Sequence, residues 1–156
     1  MGIEIERKFL VKNDDYKKSA KGVLYLQGFL NSHQERVVRV RQIGKIGFIT
    51  IKGISVGAIR AEFEYEIPGK DAEYILANLC EKPLIRKYRY AIDHDGLRWE
   101  VDEFLDENKG LVIAEVELKN ENQMIRLPHW VGEEITSDPA YYNSNLISNP
   151  FCNWKK

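Results

Sequence analysis

Cysteine, histidine and net charge are all scarce in this chain, which has 2 cysteines, 3 histidines and a formal charge of −1 over 156 residues. Cys80 and Cys152 stand alone with no metal-type spacing, which excludes a cysteine zinc site or a disulfide framework and suits a reducing cytosol. His33, His94 and His129 are scattered, explained by turns and by a neighbouring tryptophan, and no catalytic role is expected of them. A balance so close to neutral argues against a generic nucleic-acid binder, which carries a clear basic excess. No segment approaches the roughly 20 apolar residues of a membrane span. The first ten residues alternate charge from position 4 and lack the apolar core of a signal peptide, so a cytoplasmic protein is expected. Met1-Gly2 would open a myristoylation signal, but Glu6 stands where Ser or Thr is needed. Gly44-Lys45-Ile46-Gly47 lacks the spacing and the Gly-Lys-Ser/Thr end of a phosphate-binding loop. Repeats, low-complexity tracts and linkers are absent, so one domain over residues 1–156 is expected, large enough for its own core.

What the chain does have is charge, 30% of its residues, in an unusual placement. Two like charges stand two residues apart in Glu4/Glu6, Arg39/Arg41, Glu62/Glu64, Lys87/Arg89, Glu100/Asp102 and Glu115/Glu117. In a β-strand residues i and i+2 share a face, roughly 7 Å apart. At an effective dielectric near 20 such a pair repels by roughly 2.4 kcal/mol, and in open water by roughly 0.6 kcal/mol. One such pair is cheap on a wet surface. Six, each of one sign, suggest acidic strands that hold cations and basic strands that hold anions, and a metal-bound polyphosphate matches both.

Period-two alternation predicts strands over residues 2–11, 23–30, 35–43, 46–53, 58–67, 85–93, 97–104 and 111–119. The first puts Glu4, Glu6 and Lys8 on one face and Ile3, Ile5, Phe9 and Val11 on the other. Residues 13–21 can hold one or two helical turns, capped by Asn13 or Asp14. Residues 71–80 switch to helical spacing, with Ala72, Ile75, Leu76 and Leu79 on one stripe. His94-Asp95-Gly96 and Gly44-Lys45 read as hairpin turns. The tail from residue 120 reads as helical or irregular, with Asp138-Pro139 starting a last short helix. The expected fold is α+β, mainly β: an eight-stranded antiparallel closed barrel with a few peripheral helices.

Two arrangements of such a barrel compete. In one the apolar faces fill the interior and the charges meet water. In the other the charges line a tunnel, and the apolar outer faces of the first and fifth strands lie under the helices. The single-sign doublets favour the second, because wet faces intersperse signs and opposed strands select opposite charges. The tunnel face would then carry the acids Glu4, Glu6, Glu62, Glu64, Glu100, Asp102, Glu115 and Glu117, and the bases Lys8, Arg39, Arg41, Lys52, Lys87 and Arg89. Buried charges persist only when paired or bound to ions. Carboxylates suit Mg²⁺ or Mn²⁺, and guanidinium and ammonium groups suit phosphate oxygens.

Glu4-Ile5-Glu6-Arg7-Lys8-Phe9-Leu10 resembles the Glu-x-Glu-x-Lys signature of the CYTH superfamily, the triphosphate tunnel metalloenzymes. The likeness continues through Arg39-Val40-Arg41, Lys52, Arg60-Ala61-Glu62-Phe63-Glu64, Lys87-Tyr88-Arg89, Trp99-Glu100-Val101-Asp102 and Glu115-Val116-Glu117. Residues 130–134 and 138–146 resemble the C-terminal segment of the small bacterial members. Phe29 and Ala140 stand where relatives often carry Tyr and Arg, which bears on substrate preference or tunnel closure. The resemblance implies a metal-dependent triphosphatase of the inorganic-triphosphatase-like branch, with Mg²⁺ or Mn²⁺ held by Glu4, Glu6, Glu115 and Glu117. It implies that Lys8, Arg39, Arg41, Lys52, Lys87 and Arg89 clamp the triphosphate. Asp102, Glu62 and Glu64 then bind a second ion, orient water or hold the basic side chains. Lys87, among many cations, is either a phosphate contact or a general base with a lowered pKa. Tyr141, Tyr142, Asn143 and Asn145 either cap the tunnel mouth or pack the last helix. A class IV adenylate cyclase, a thiamine or nucleoside triphosphatase, and a non-catalytic polyphosphate-binding module are the alternatives. The expected partner is a triphosphate-containing small molecule, with no membrane and no specific nucleic acid; a homodimer is an option the sequence does not decide.

Overall fold

In the computed structural model, which describes residues 2–154, the period-two runs are strands, and the links between consecutive ones range from two-residue turns to longer loops and one helix. The elements are β1 (Ile3–Val11), β2 (Val23–Asn31), β3 (Arg36–Ile43), β4 (Ile46–Gly53), β5 (Ile59–Pro68), α1 (Gly69–Asn78), β6 (Ile85–His94), β7 (Leu97–Phe104), β8 (Val112–Glu117) and β9 (Val131–Glu134). The β6–β7 turn needs positive φ at both central residues, and Asp95 (φ 52°) and Gly96 (φ 78°) supply it.

The strands run β5-β4-β3-β2-β6-β7-β8-β1, and β1 pairs back onto β5 through Ile3↔Ala61, Glu4↔Arg60 and Ile5↔Ile59. That pairing closes an eight-stranded antiparallel barrel, with the first and eighth predicted strands adjacent as the charge pattern requires. Three expectations need correction. A ninth strand, Val131–Glu134, extends the sheet beside the far end of β1, in a tail expected to be helical or irregular. Its four residues do not alternate, and it is held by pairing to β1 and by the Arg7–Glu134 ion pair at 2.7 Å. Among the described residues α1 is the one α-helix; the turns expected after residue 13 and at Asp138-Pro139 are short 3₁₀ segments, Asp15–Lys18 and Pro139–Tyr141. The helical cover is therefore smaller than expected. On β5, Phe63 and Tyr65 are exposed, while on the outer face of β1 Ile3 is exposed and Phe9 is buried against Trp130 and Tyr16 of the 3₁₀ turn at residues 15–18.

α1 packs on β3 and β4, burying Ala72 and Leu76 against Val40 and Cys80. A Cβ on Gly47 would come within 2.5 Å of the Ala72 Cβ, so glycine there permits the close approach of helix to strand. A second cluster, Phe9, Tyr16, Trp99, Val101, Val116 and Trp130, lies on the outer faces of β1, β7 and β8. A third lies inside one end of the barrel. Phe29, Val37, Ile85, Phe104 and Ile113 share their strands' inward faces with the charges, and Ile135, Leu146 and Ile147 close over them. On several strands the inward face thus grades from apolar at this sealed end to charged further along, as in Ile85-Lys87-Arg89 and Ile113-Glu115-Glu117.

Candidate tunnel site

The charges point inward. Twelve of the thirteen residues assigned by the sequence reading to catalysis, substrate or metal line two lumen cavities. The larger, about 320 Å³, is lined by Glu4, Glu6, Arg39, Arg41, Lys52, Glu62, Glu64, Arg89, Glu115 and Glu117. The smaller, about 40 Å³ and nearer the sealed end, adds Lys8 and Lys87. The thirteenth, Asp102, lies behind this wall and is 2% exposed.

Strand register explains how the lumen is tied together. Arg89 lies opposite Asp102 across β6 and β7 and grips it through both oxygens, at 2.7 and 2.8 Å, while Lys87 Nζ sits 2.8 Å from Oδ2. Burial alone would raise the Asp102 carboxyl, but Arg89 and Lys87 outweigh it and hold the group well below the usual carboxylate range. Opposite Thr50 on β5, Glu64 accepts from the Thr50 hydroxyl at 2.7 Å and pairs with Arg41 at 3.0 Å and Arg39 at 3.5 Å. Lys52 bridges Glu4 and Glu62 at 3.4 and 3.3 Å, and Lys8 reaches Glu115 at 3.4 Å. The Nε atoms of Arg39 and Arg41 are buried and have no partner among the described residues, an arrangement suited to receiving an anion. Burial pushes the Lys87 amine down to about 7, Asp102 opposing and Arg89 reinforcing the shift.

The acids gather with the opposite logic. Glu6 faces Glu117 across β1 and β8, and Glu100 faces Glu115 across β7 and β8. Burial pushes the Glu6 carboxyl up to about 8, and the charges of Glu115 and Glu4 add to the effect. Glu117 is also raised, by burial and then by Glu4 and Glu100. Among the described residues no three such groups form a ready cage, since Glu4 and Glu115 lean on Lys52 and Lys8. The donor set is all carboxylate oxygen, the chemistry of a hard divalent cation, and the crowding is what such an ion relieves. Glu4, Glu6, Glu115 and Glu117 thus match the ligand role in donor chemistry.

The charge pattern left out several lumen residues. Tyr25 lies under the guanidinium groups of Arg89 and Arg41, 4.9 and 5.4 Å from its ring centroid. It shares an inward face with Gln27 and Phe29, which period two could have indicated. Thr50 likewise stands two residues before Lys52. Tyr142 and Asn143 come from the irregular C-terminal segment and line the small cavity, so that segment does cap the lumen. Its other two candidates serve packing, Tyr141 against Trp154 and Asn145 Nδ2 donating to the Pro139 carbonyl. Ala140 is exposed, and Phe29 is buried in the sealed-end cluster. His129 pairs with Asp15 on the exterior, and Trp99 and Trp130 pack edge to face in the core.

Comparison with known proteins agrees with this geometry. The CYTH domain profile matches residues 2–146. A protein of Acetivibrio thermocellus named inorganic triphosphatase is 54% identical over 156 residues, covering 100% of both chains. One of the same name from Nitrosomonas europaea is 36% identical over 148 residues, covering 92% of this chain and 95% of its own. A crystal structure of an inorganic triphosphatase superposes with a TM-score of 0.65 at 33% identity, covering 92% of this chain and 93% of the other.

Proposed function

This chain belongs to the CYTH domain family, and we infer that it hydrolyses inorganic triphosphate to diphosphate and phosphate inside the barrel. The observation that carries this reading is the division of one closed lumen into a basic wall and a wall of opposed carboxylates. A passive anion binder has no use for the second wall. The full-length likeness to two proteins named inorganic triphosphatase supports the substrate.

Lys8, Arg39, Arg41, Lys52, Lys87 and Arg89 bind the phosphate chain, and their fixed fork and point charges replace its water shell. Asp102 and Glu64, each engaged by two cations, orient those groups. Glu62 keeps Lys52 between itself and Glu4. Glu4, Glu6, Glu115 and Glu117 would hold Mg²⁺ or Mn²⁺, which neutralises charge on the phosphate oxygens when bound. As an ammonium ion Lys87 contacts phosphate. With its amine brought down to about 7 by burial, its neutral form is also present near pH 7 and is suited to take a proton from water attacking the terminal phosphorus.

The test is phosphate release from inorganic triphosphate, ATP, thiamine triphosphate and diphosphate, each with Mg²⁺, Mn²⁺ or chelator. The expected result is metal-dependent turnover of triphosphate well above the others. Cyclic AMP from ATP, or ATP as the better substrate, overturns the assignment in favour of a cyclase or nucleotidase.

A further inference from the structure

Lys87 is 1% exposed, yet it lines the small lumen cavity. Its Nζ lies 2.8 Å from Asp102 Oδ2 and 3.0 Å from Asn143 Oδ1. An ammonium group has donors only, so the Asn143 atom facing it is the carbonyl oxygen. The same oxygen accepts from Gln27 Nε2 at 2.6 Å, which fixes how the Asn143 amide is turned. Gln27 is fully buried, and its own Oε1 has no partner among the described residues. An orphaned buried acceptor costs stability, and an apolar side chain at residue 27 would avoid that cost. Two tetrahedral directions of the Lys87 amine are thus committed, one to the barrel wall and one to the C-terminal segment, leaving the third for the cavity. Arg89 fixes the Asp102 carboxylate, but that single contact alone would leave the amine free to rotate about it.

We propose that Asn143, steadied by Gln27, is a positioning residue that aims the Lys87 amine at the bound phosphate chain. The C-terminal segment then completes the substrate site as well as sealing the barrel. For its kinetics this inference rests on the triphosphatase reading.

Asn143→Ala should lower kcat on triphosphate about 30-fold while Tm stays within a few degrees. Asn143→Asp keeps an oxygen against Lys87 and Gln27, so it should recover most of kcat, but its carboxylate repels phosphate and should raise KM about tenfold. A purely structural residue would show neither this split nor a loss independent of Tm. Wild-type kcat in Asn143→Ala, or losses tracking Tm in both variants, overturns the proposal. A substrate-free readout separates its failure from that of the triphosphatase reading. In nitrogen-15 lysine-labelled protein in mildly acidic buffer, the held Lys87 ammonium should give a slowly exchanging proton signal, assigned by its loss in Lys87→Met. The signal should persist in Asn143→Asp and vanish in Asn143→Ala. Its absence from wild type, or its persistence in Asn143→Ala, overturns the proposal whatever the enzyme hydrolyses. A wild type that shows the signal but does not turn over triphosphate contradicts the substrate assignment alone.

Discussion

Glu6 on β1 and Glu117 on β8 stand directly opposite one another across the strand pair, two acids where a sheet selected for stability alone would place opposite charges. Burial and its acidic neighbours push the Glu6 carboxyl up to about 8, so at pH 7 folding must protonate it. Replacing Glu6 by Gln should therefore raise the Tm of metal-free protein at that pH, by roughly 2–4 °C for each kcal/mol of that cost removed. The same change should lower kcat at least about 100-fold and abolish the Tm increase produced by Mn²⁺, as a lost ligand would. Differential scanning fluorimetry with and without Mn²⁺, run beside the phosphate-release assay, checks all three. A lower Tm without metal would mean that this pair is not a stored conflict.

Asp102 is shifted the other way from Glu6, and its pH signature follows from that. Its carboxyl is held below its ordinary value, burial being overcome by Arg89 and Lys87, so its stabilisation is full above the unfolded pKa near 3.8 and lost as pH falls through the folded value. Asp102→Asn should cost about 3 kcal/mol at pH 7, because it leaves two buried cations poorly matched. That gap should shrink below about pH 4. Urea titrations at pH 7 and in acid give the two values, and an unchanged gap would contradict the assignment.

The lumen is legible in the sequence because a strand displays its chemistry every second residue. Arg39/Arg41, Lys87/Arg89 and Glu115/Glu117 announced a common face, and the barrel turned that face inward. The same parity also contained Phe29, Phe104 and Ile113, which seal one end, and only the position along each strand separates them from the charges. Asn143 and Tyr142 were harder to place. They lie in an irregular segment whose position comes from Leu146 and Ile147 packing into the barrel end, a tertiary fact without a periodic trace. For β9, pairing with β1 decides the conformation of four residues whose own pattern is silent.

Tyr25 works through its ring. The two guanidinium groups over its face imply that Tyr25→Phe keeps KM for triphosphate within about twofold, whereas Tyr25→Leu raises it about fivefold as Arg41 and Arg89 lose their platform. Steady-state kinetics on both variants decide the matter. Equal damage from Phe and Leu would transfer the role to the hydroxyl.

Leu146 anchors the C-terminal segment and is fully buried against the sealed-end cluster. Leu146→Ala should cost about 3 kcal/mol, seen as a fall in Tm of roughly 6–12 °C. Hydrogen exchange should quicken in residues 139–149 before it does in β6 and β7, since the loosened segment opens locally. Uniform acceleration across the barrel would show that the segment does not open on its own.

The most direct measurement is a crystal structure of the chain with triphosphate and Mn²⁺, the metal located by anomalous scattering. The phosphate chain should lie against Lys8, Arg39, Arg41, Lys52, Lys87 and Arg89, with the anomalous peak among Glu4, Glu6, Glu115 and Glu117. Triphosphate on the outer surface, or Mn²⁺ bound away from those carboxylates, would contradict the account.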